Sequence, residues 1–285
     1  MLASWTPAWT PHPDVWLILG LMVAGYWIAA VRIGPRHVLP GRPAVRAVEA
    51  WYFGFGMLAL YVASDWPIHD VAEQSLYSIH MVQHLTISLI AVPLLLLGTP
   101  AWMARALLRP RFLFRTLRYC SRFLPAIIIF NLVLVLSHWP AVVTLTVDNG
   151  LAHFVGHCVI FFSAIAVWMP IVSPLPEIPR FTPIAQMLFL FTQSIVPTVP
   201  ASFLTFGDTP LYGVYDKKPK LWGLSALQDQ QNAGLIMKIG AGLLLWSLIA
   251  MIFFKWASDE DRRNQNVPRR AWQDLDGQMT RTGSR

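Results

Sequence analysis

Charged residues are scarce in this chain, only 13% of 285 positions, and the two cysteines, Cys120 and Cys158, form no CxxC pair. Two isolated cysteines exclude a disulfide framework and a thiolate metal motif. Tandem repeats, a P-loop and a dinucleotide-binding glycine motif are also missing, as are adjacent histidines. The shortage of charge has a positive counterpart: 55% of the residues are hydrophobic, in apolar runs of about twenty, long enough to cross a bilayer core at about 1.5 Å per residue. The expected fold is all-α, a polytopic membrane bundle of seven transmembrane helices near 14–31, 46–63, 76–97, 123–140, 150–172, 182–204 and 231–255. One domain, 1–257, then accounts for nearly the whole chain, with a polar and mobile cytoplasmic tail at 258–285.

The net charge of +7 could suggest a nucleic-acid partner, but its distribution points to the lipid bilayer instead. Arg32, Arg36, Arg42 and Arg46 follow the first span, six arginines from Arg105 to Arg122 follow the third, and Arg262, Arg263, Arg269 and Arg270 follow the seventh. Alternate loops carry Asp65, Asp70 and Glu73, or Asp148. This parity places the N-terminus outside and the C-terminus in the cytoplasm. Lys217, Lys218 and Lys220 oppose the pattern, accompanied by Asp208, Asp216 and Asp229. With no basic segment ahead of it, the first span reads as a retained helix and not as a cleaved signal. Trp5, Trp9, Trp16, Trp66 and Trp139 suit an outer interfacial belt, and Arg105 to Arg122 a short amphipathic helix at the cytoplasmic surface. Pro93, Pro197 and Pro200 interrupt their spans.

Topology turns histidine positions into depths. His80 and His84 occupy the first two turns of the third span, about 6 Å apart along the axis and on one face. His153 and His157 repeat the arrangement on the fifth, His138 ends the fourth, and His69 is a marginal candidate in the outer loop. His12 and His37 read as ordinary loop residues. Neutral imidazole suits copper, zinc, iron and nickel, and two such pairs can supply four nitrogens to one or two ions. Asp229, Gln230 and Gln83 are candidates to orient the rings from behind, although Asp229 equally fits helix capping and Gln83 lies on a different face from its neighbouring histidines. Met81 and Met237 offer soft thioethers in what are ordinarily packing positions, Cys158 points about 100° from His157 into the core, and Lys238 snorkels outward with no chemical role.

Three functions remain open on spacing alone: a metal carrier, a membrane cytochrome b or other haem-handling protein, and a di-metal membrane oxidoreductase. The third requires boxes with adjacent histidines on the cytoplasmic side, which this chain lacks.

The segment His80-Met81-Val82-Gln83-His84-Leu85 running to Pro93 and Gly98-Thr99-Pro100 resembles the third span of the CtaG-type cytochrome c oxidase assembly factors. Asp229-Gln230-Gln231 followed by Gly234-Leu235-Ile236-Met237, and the His153/His157 span, resemble the same family. The resemblance covers essentially all seven spans. It implies a non-enzymatic, multi-pass protein of the bacterial plasma (inner) membrane that binds copper, as Cu(I), and helps deliver it to the haem–copper centre of a caa-type oxidase. The implied partners are the catalytic subunit of that oxidase and a periplasmic copper donor.

Overall fold

The computed structural model describes residues 9–219 and 221–265. Trp5, Lys220, Arg269, Arg270 and the expected tail beyond 265 lie outside the described residues. Within them the chain is helical, without a strand. Six helices are long and apolar enough to span a membrane, or seven if one bent pair counts as a span, and the molecule is a membrane protein.

In chain order the helices are α1 (Pro13–Arg36), α2 (Ala47–Ser64), α3 (Ile68–Gln74), α4 (Tyr77–Gly98), α5 (Ala101–Leu107), α6 (Arg111–Cys120) and α7 (Phe123–Ser137). They are followed by α8 (Pro140–Asp148), α9 (Gly150–Val172), α10 (Pro183–Ile195), α11 (Thr198–Phe206), α12 (Gly213–Asp216) and α13 (Ala226–Arg263). The bent pair is α6 and α7, which meet at 87°. The arginine-rich stretch expected at a surface is therefore a separate helix turned across its neighbour. The fourth span is shorter than expected: α7 stops at Ser137, because His138 and Trp139 lead into Pro140, which starts a new helix. The last helix is longer than expected and carries the start of the anticipated tail as far as Arg263.

Helix α4 lies at the centre, packed on α2, α9 and α13, while α7 covers α9, and α10 and α11 cover α13. Trp168, Phe189, Leu190, Ala126 and Ala164 fill the core where α4, α7, α9, α10 and α13 meet. Met57, Leu60, Ile87 and Leu95 join α2 to α4. No residue of Pro13–Ile28 is buried, so α1 rests on the outside of α2.

Lipid tails are as apolar as leucine, so burial from water contributes little between spans; close packing and interhelical hydrogen bonds hold them together. Gly98 supplies such packing: a Cβ there would lie 2.7 Å from the Cα of Phe53. Gly234 does the same, where a Cβ would lie 2.7 Å from the carbonyl oxygen of Ala201. Both glycines belong to the sequence motifs quoted above, and the requirement is space and not an unusual backbone angle. Among the hydrogen bonds, the Tyr26 hydroxyl donates to the Gly98 carbonyl at 2.8 Å and the Trp16 indole to Asp65 at 2.8 Å. In the interior Asn131 donates to Gln193 at 2.8 Å, joining α7 to α10.

Proline positions shape the backbone locally. Ahead of Pro93 the helix widens into a π-turn over Thr86–Ala91. There the Ser88 carbonyl accepts the Trp168 indole N–H at 2.7 Å, so the irregular turn tightens the α4–α9 contact just below His84. At Pro197 the sixth span breaks into α10 and α11. Near the end of α9 the Pro170 carbonyl, whose helical donor would be the N–H that Pro174 lacks, accepts the Phe181 amide at 2.8 Å.

Helix direction sorts the two ends. Arg32, Arg36, Arg105, Arg111, Arg180 and Arg262 collect at one, where Arg105 binds Glu177 at 2.6 Å and holds its carboxyl below the usual carboxylate range. The histidine-bearing termini collect at the other. Lys218, which broke the charge pattern, is tethered there: its ammonium donates to the Glu73 carbonyl and lies 5.1 Å from the centre of the Tyr215 ring. A lysine fixed to protein says little about the membrane side it occupies.

Candidate metal centre

Seven of the eight histidines lie at the end opposite the arginines: His12 immediately precedes α1, His69 sits in α3, His80 and His84 in α4, His138 follows α7, and His153 and His157 lie in the first turns of α9. His37 is at the arginine end, its ring 5.5 Å from that of Trp102. One-turn spacing stacks each pair, with ring centroids 4.2 Å apart for His80–His84 and 4.3 Å for His153–His157. Packing of α4 on α9 then brings the pairs together: His84 is 5.2 Å from His157 and His80 is 5.6 Å from His153.

The four strongest sequence candidates thus share one cluster, but they divide between two donor sets. One nitrogen each from His80, His84 and His157 lie within 4.8 Å of one another. His153 belongs to a second set with His69 and Glu73, whose ligand atoms meet the same limit. His69, marginal in the sequence, is 5.3 Å from the His153 ring, and His12, read as a loop residue, packs its ring 4.6 Å from His69. Both rings therefore stand beside the paired histidines. Helix α3 continues the second span to Gln74, and the N-terminal segment packs beside it, with Thr10 donating to Asp70 and His12 lying 3.4 Å from the same carboxylate.

His138 stands to one side. Its Nδ1 is 2.7 Å from the Leu134 carbonyl and so carries the proton, which leaves the Nε2 lone pair facing the Met81 sulfur at 3.3 Å. Met81, Met237, His84 and His138 line a cavity of about 60 Å³ that continues inward to Gln193. The thioethers, read from sequence as packing, therefore also border the histidine cavity.

The expected supporting residues fare unequally. Gln83 does contact a ring: its amide nitrogen donates to the Ala63 carbonyl at 2.8 Å and lies 3.0 Å from Nδ1 of His69. Asp229 reaches no histidine. Its carboxylate accepts the amides of Tyr77 at 2.7 Å and Ser78 at 3.1 Å, and the Ser78 hydroxyl at 2.6 Å. It caps α4 from another helix, because Leu76 at the start of α4 has no polar side chain to do so. The cap of α13 itself is Ser225. Gln230 organises the preceding loop by accepting from the Leu211 amide at 2.5 Å. Lys238 is exposed and belongs to no ion pair among the described residues.

The donor set suits a metal ion on local grounds. His80 Nδ1, both ring nitrogens of His153, and His157 Nε2 are buried without a hydrogen-bond partner. Leaving such atoms dry costs free energy that an ion would offset. A cleft of about 460 Å³ leads to the cluster between α1, α2 and α9, bordered by His12, His69, Glu73, His153, His157 and Cys158. Cys158, assigned to the core above, instead borders this cleft.

A membrane bundle with a buried imidazole cluster at one end is the class that fold and site define. Residues 24–259 match the family model described as cytochrome c oxidase caa3 assembly factor (Caa3_CtaG), and the chain belongs to that family. No curated protein and no solved structure matches the chain.

Proposed function

We propose that this protein carries copper as cargo for the assembly of a caa-type cytochrome oxidase, binding it through His80, His84 and His157 and handing it to the catalytic subunit without catalysing a reaction. The observation that carries the reading is the convergence of three imidazoles from two helices in a cluster with unpartnered buried nitrogens. An all-imidazole set of three suits a soft or borderline ion, and the neighbouring Met81 and Met237 sulfurs add affinity for Cu(I). Membership of an oxidase assembly family supports the destination. The arginines at the opposite end support an outward-facing cluster in a bacterial inner membrane, with the N-terminus outside and the C-terminus in the cytoplasm, where a periplasmic donor could load it.

The test compares copper retention by the purified wild type and by His80→Asn/His84→Asn, loaded under reductant and then challenged with a chelator, alongside oxidase maturation in cells. The double variant is expected to lose both. Unchanged copper and unchanged oxidase after replacement of all four paired histidines would refute the proposal, and a Soret band in the purified wild type would favour the haem-handling alternative.

A further inference from the structure

The trio leaves His69, Glu73 and His153 unused, although they form a second set with a different chemistry. Helix α3 places His69 and Glu73 one turn apart, so both point to one side. That side faces the first turn of α9, where the nitrogen His153 Nδ1 lies 3.3 Å from one Glu73 carboxylate oxygen while His69 Nε2 lies 3.8 Å from the other. Gln83 keeps the His69 ring in place from behind.

A purely structural account leaves too much unexplained. His153 is only 4% exposed, yet its ring is held loosely, with Nδ1 3.3 Å from the Glu73 carboxylate and the Thr146 backbone as its other polar neighbour. The carboxylate sits between two imidazoles without engaging either at good hydrogen-bond distance. Three donors gathered within 4.8 Å and left unsaturated are an arrangement that a cation completes. All three border the cleft, so the set has an approach path of its own.

We propose that His69, Glu73 and His153 form a second metal site, for a divalent cation, at the mouth of the cleft and next to the all-imidazole trio. Two imidazoles and one carboxylate make a harder donor set than three imidazoles beside thioethers, so the outer site favours a divalent ion such as Zn2+ or Cu(II). The inference rests on the reading of the trio as an ion site, and it adds a second ion with separate ligands. His153 and His157, adjacent on α9, set the two sites side by side.

The experiment is equilibrium dialysis of the full-length protein in detergent against Zn2+, counting ions per chain for wild type, Glu73→Gln and His84→Asn. The expected counts are about two, one and one. A nonzero wild-type count that Glu73→Gln leaves unchanged overturns the outer site while leaving the trio in place. A loss on Glu73→Gln with no loss on His84→Asn upholds the outer site and overturns the trio. A wild-type count of zero overturns both. Each variant is accepted only if its circular dichroism and elution match the wild type; should Glu73→Gln fail that check, His69→Gln replaces it with the same expected counts.

Discussion

Asp229→Ala tests how the histidine end is held together. The carboxylate is 1% exposed and accepts three hydrogen bonds from Tyr77 and Ser78, which begin the helix bearing His80 and His84. Loss of an ordinary helix cap costs about 0.5–2 kcal/mol, whereas a hydrogen bond to a charged group is worth roughly 1.5–3 kcal/mol. The three bonds share one carboxylate and are not additive, and water cannot easily replace them at a buried site. The expected loss is therefore about 3–5 kcal/mol, comparable to removing one partner of a buried ion pair. Unfolding in mixed micelles at increasing SDS fraction, followed by circular dichroism, measures it. Asp229→Asn should fall between wild type and alanine, since it keeps one acceptor oxygen but turns an N–H2 toward one of the donors. Metal retention should weaken in parallel, because fraying the first turn of α4 moves His80. A destabilisation of Asp229→Ala below about 1 kcal/mol would refute the capping argument.

Gly98→Ala should destabilise by about 1–3 kcal/mol in the same assay, since its methyl group meets the Phe53 backbone, which cannot rotate away as a side chain could. Breaking the buried amide pair with Asn131→Leu, Gln193→Leu and the double variant should yield a coupling of about 0.6–1.7 kcal/mol, the range for interhelical hydrogen bonds in a bilayer; zero coupling would show that α7 and α10 are held by packing alone. Burial pushes the Tyr212 phenol in the loop before α12 up to about 12, so its contribution to stability is intact below about pH 10, where an unfolded tyrosine begins to ionise, and is lost as pH rises through about 12. The difference in absorbance at 295 nm between wild type and Tyr212→Phe should show the late ionisation, and ionisation of this residue near pH 10 would contradict its burial.

Much of the site was legible in the sequence because one-turn spacing on a helix fixes two side chains to one face and one depth. That argument holds for His80 with His84 and for His153 with His157. His69 and His12 escaped it because each stands alone in its segment, and what a lone ring at the end of a span or ahead of the first one meets depends on which helices become neighbours. Glu73 stands one turn after His69, so helical spacing puts the two on one face, but the charge of this segment marks it in the sequence only as a loop. Asp229 was recognised as a polar residue poised at a helix start, but the helix it caps begins 152 positions away.

The amino-acid sequence alone determined that the chain lies in a membrane, roughly where its helices run, and that its histidines gather at the end away from the arginines. Those properties follow from hydrophobic length, charge placement and helical period, all local in the chain. Only the tertiary structure decided that the imidazoles divide into two donor sets, one of them completed by a carboxylate, and that Asp229 supports the helix carrying the first pair and not a histidine ring. Such pairings depend on which helices become neighbours, and packing of whole faces settles that at separations no local period can encode.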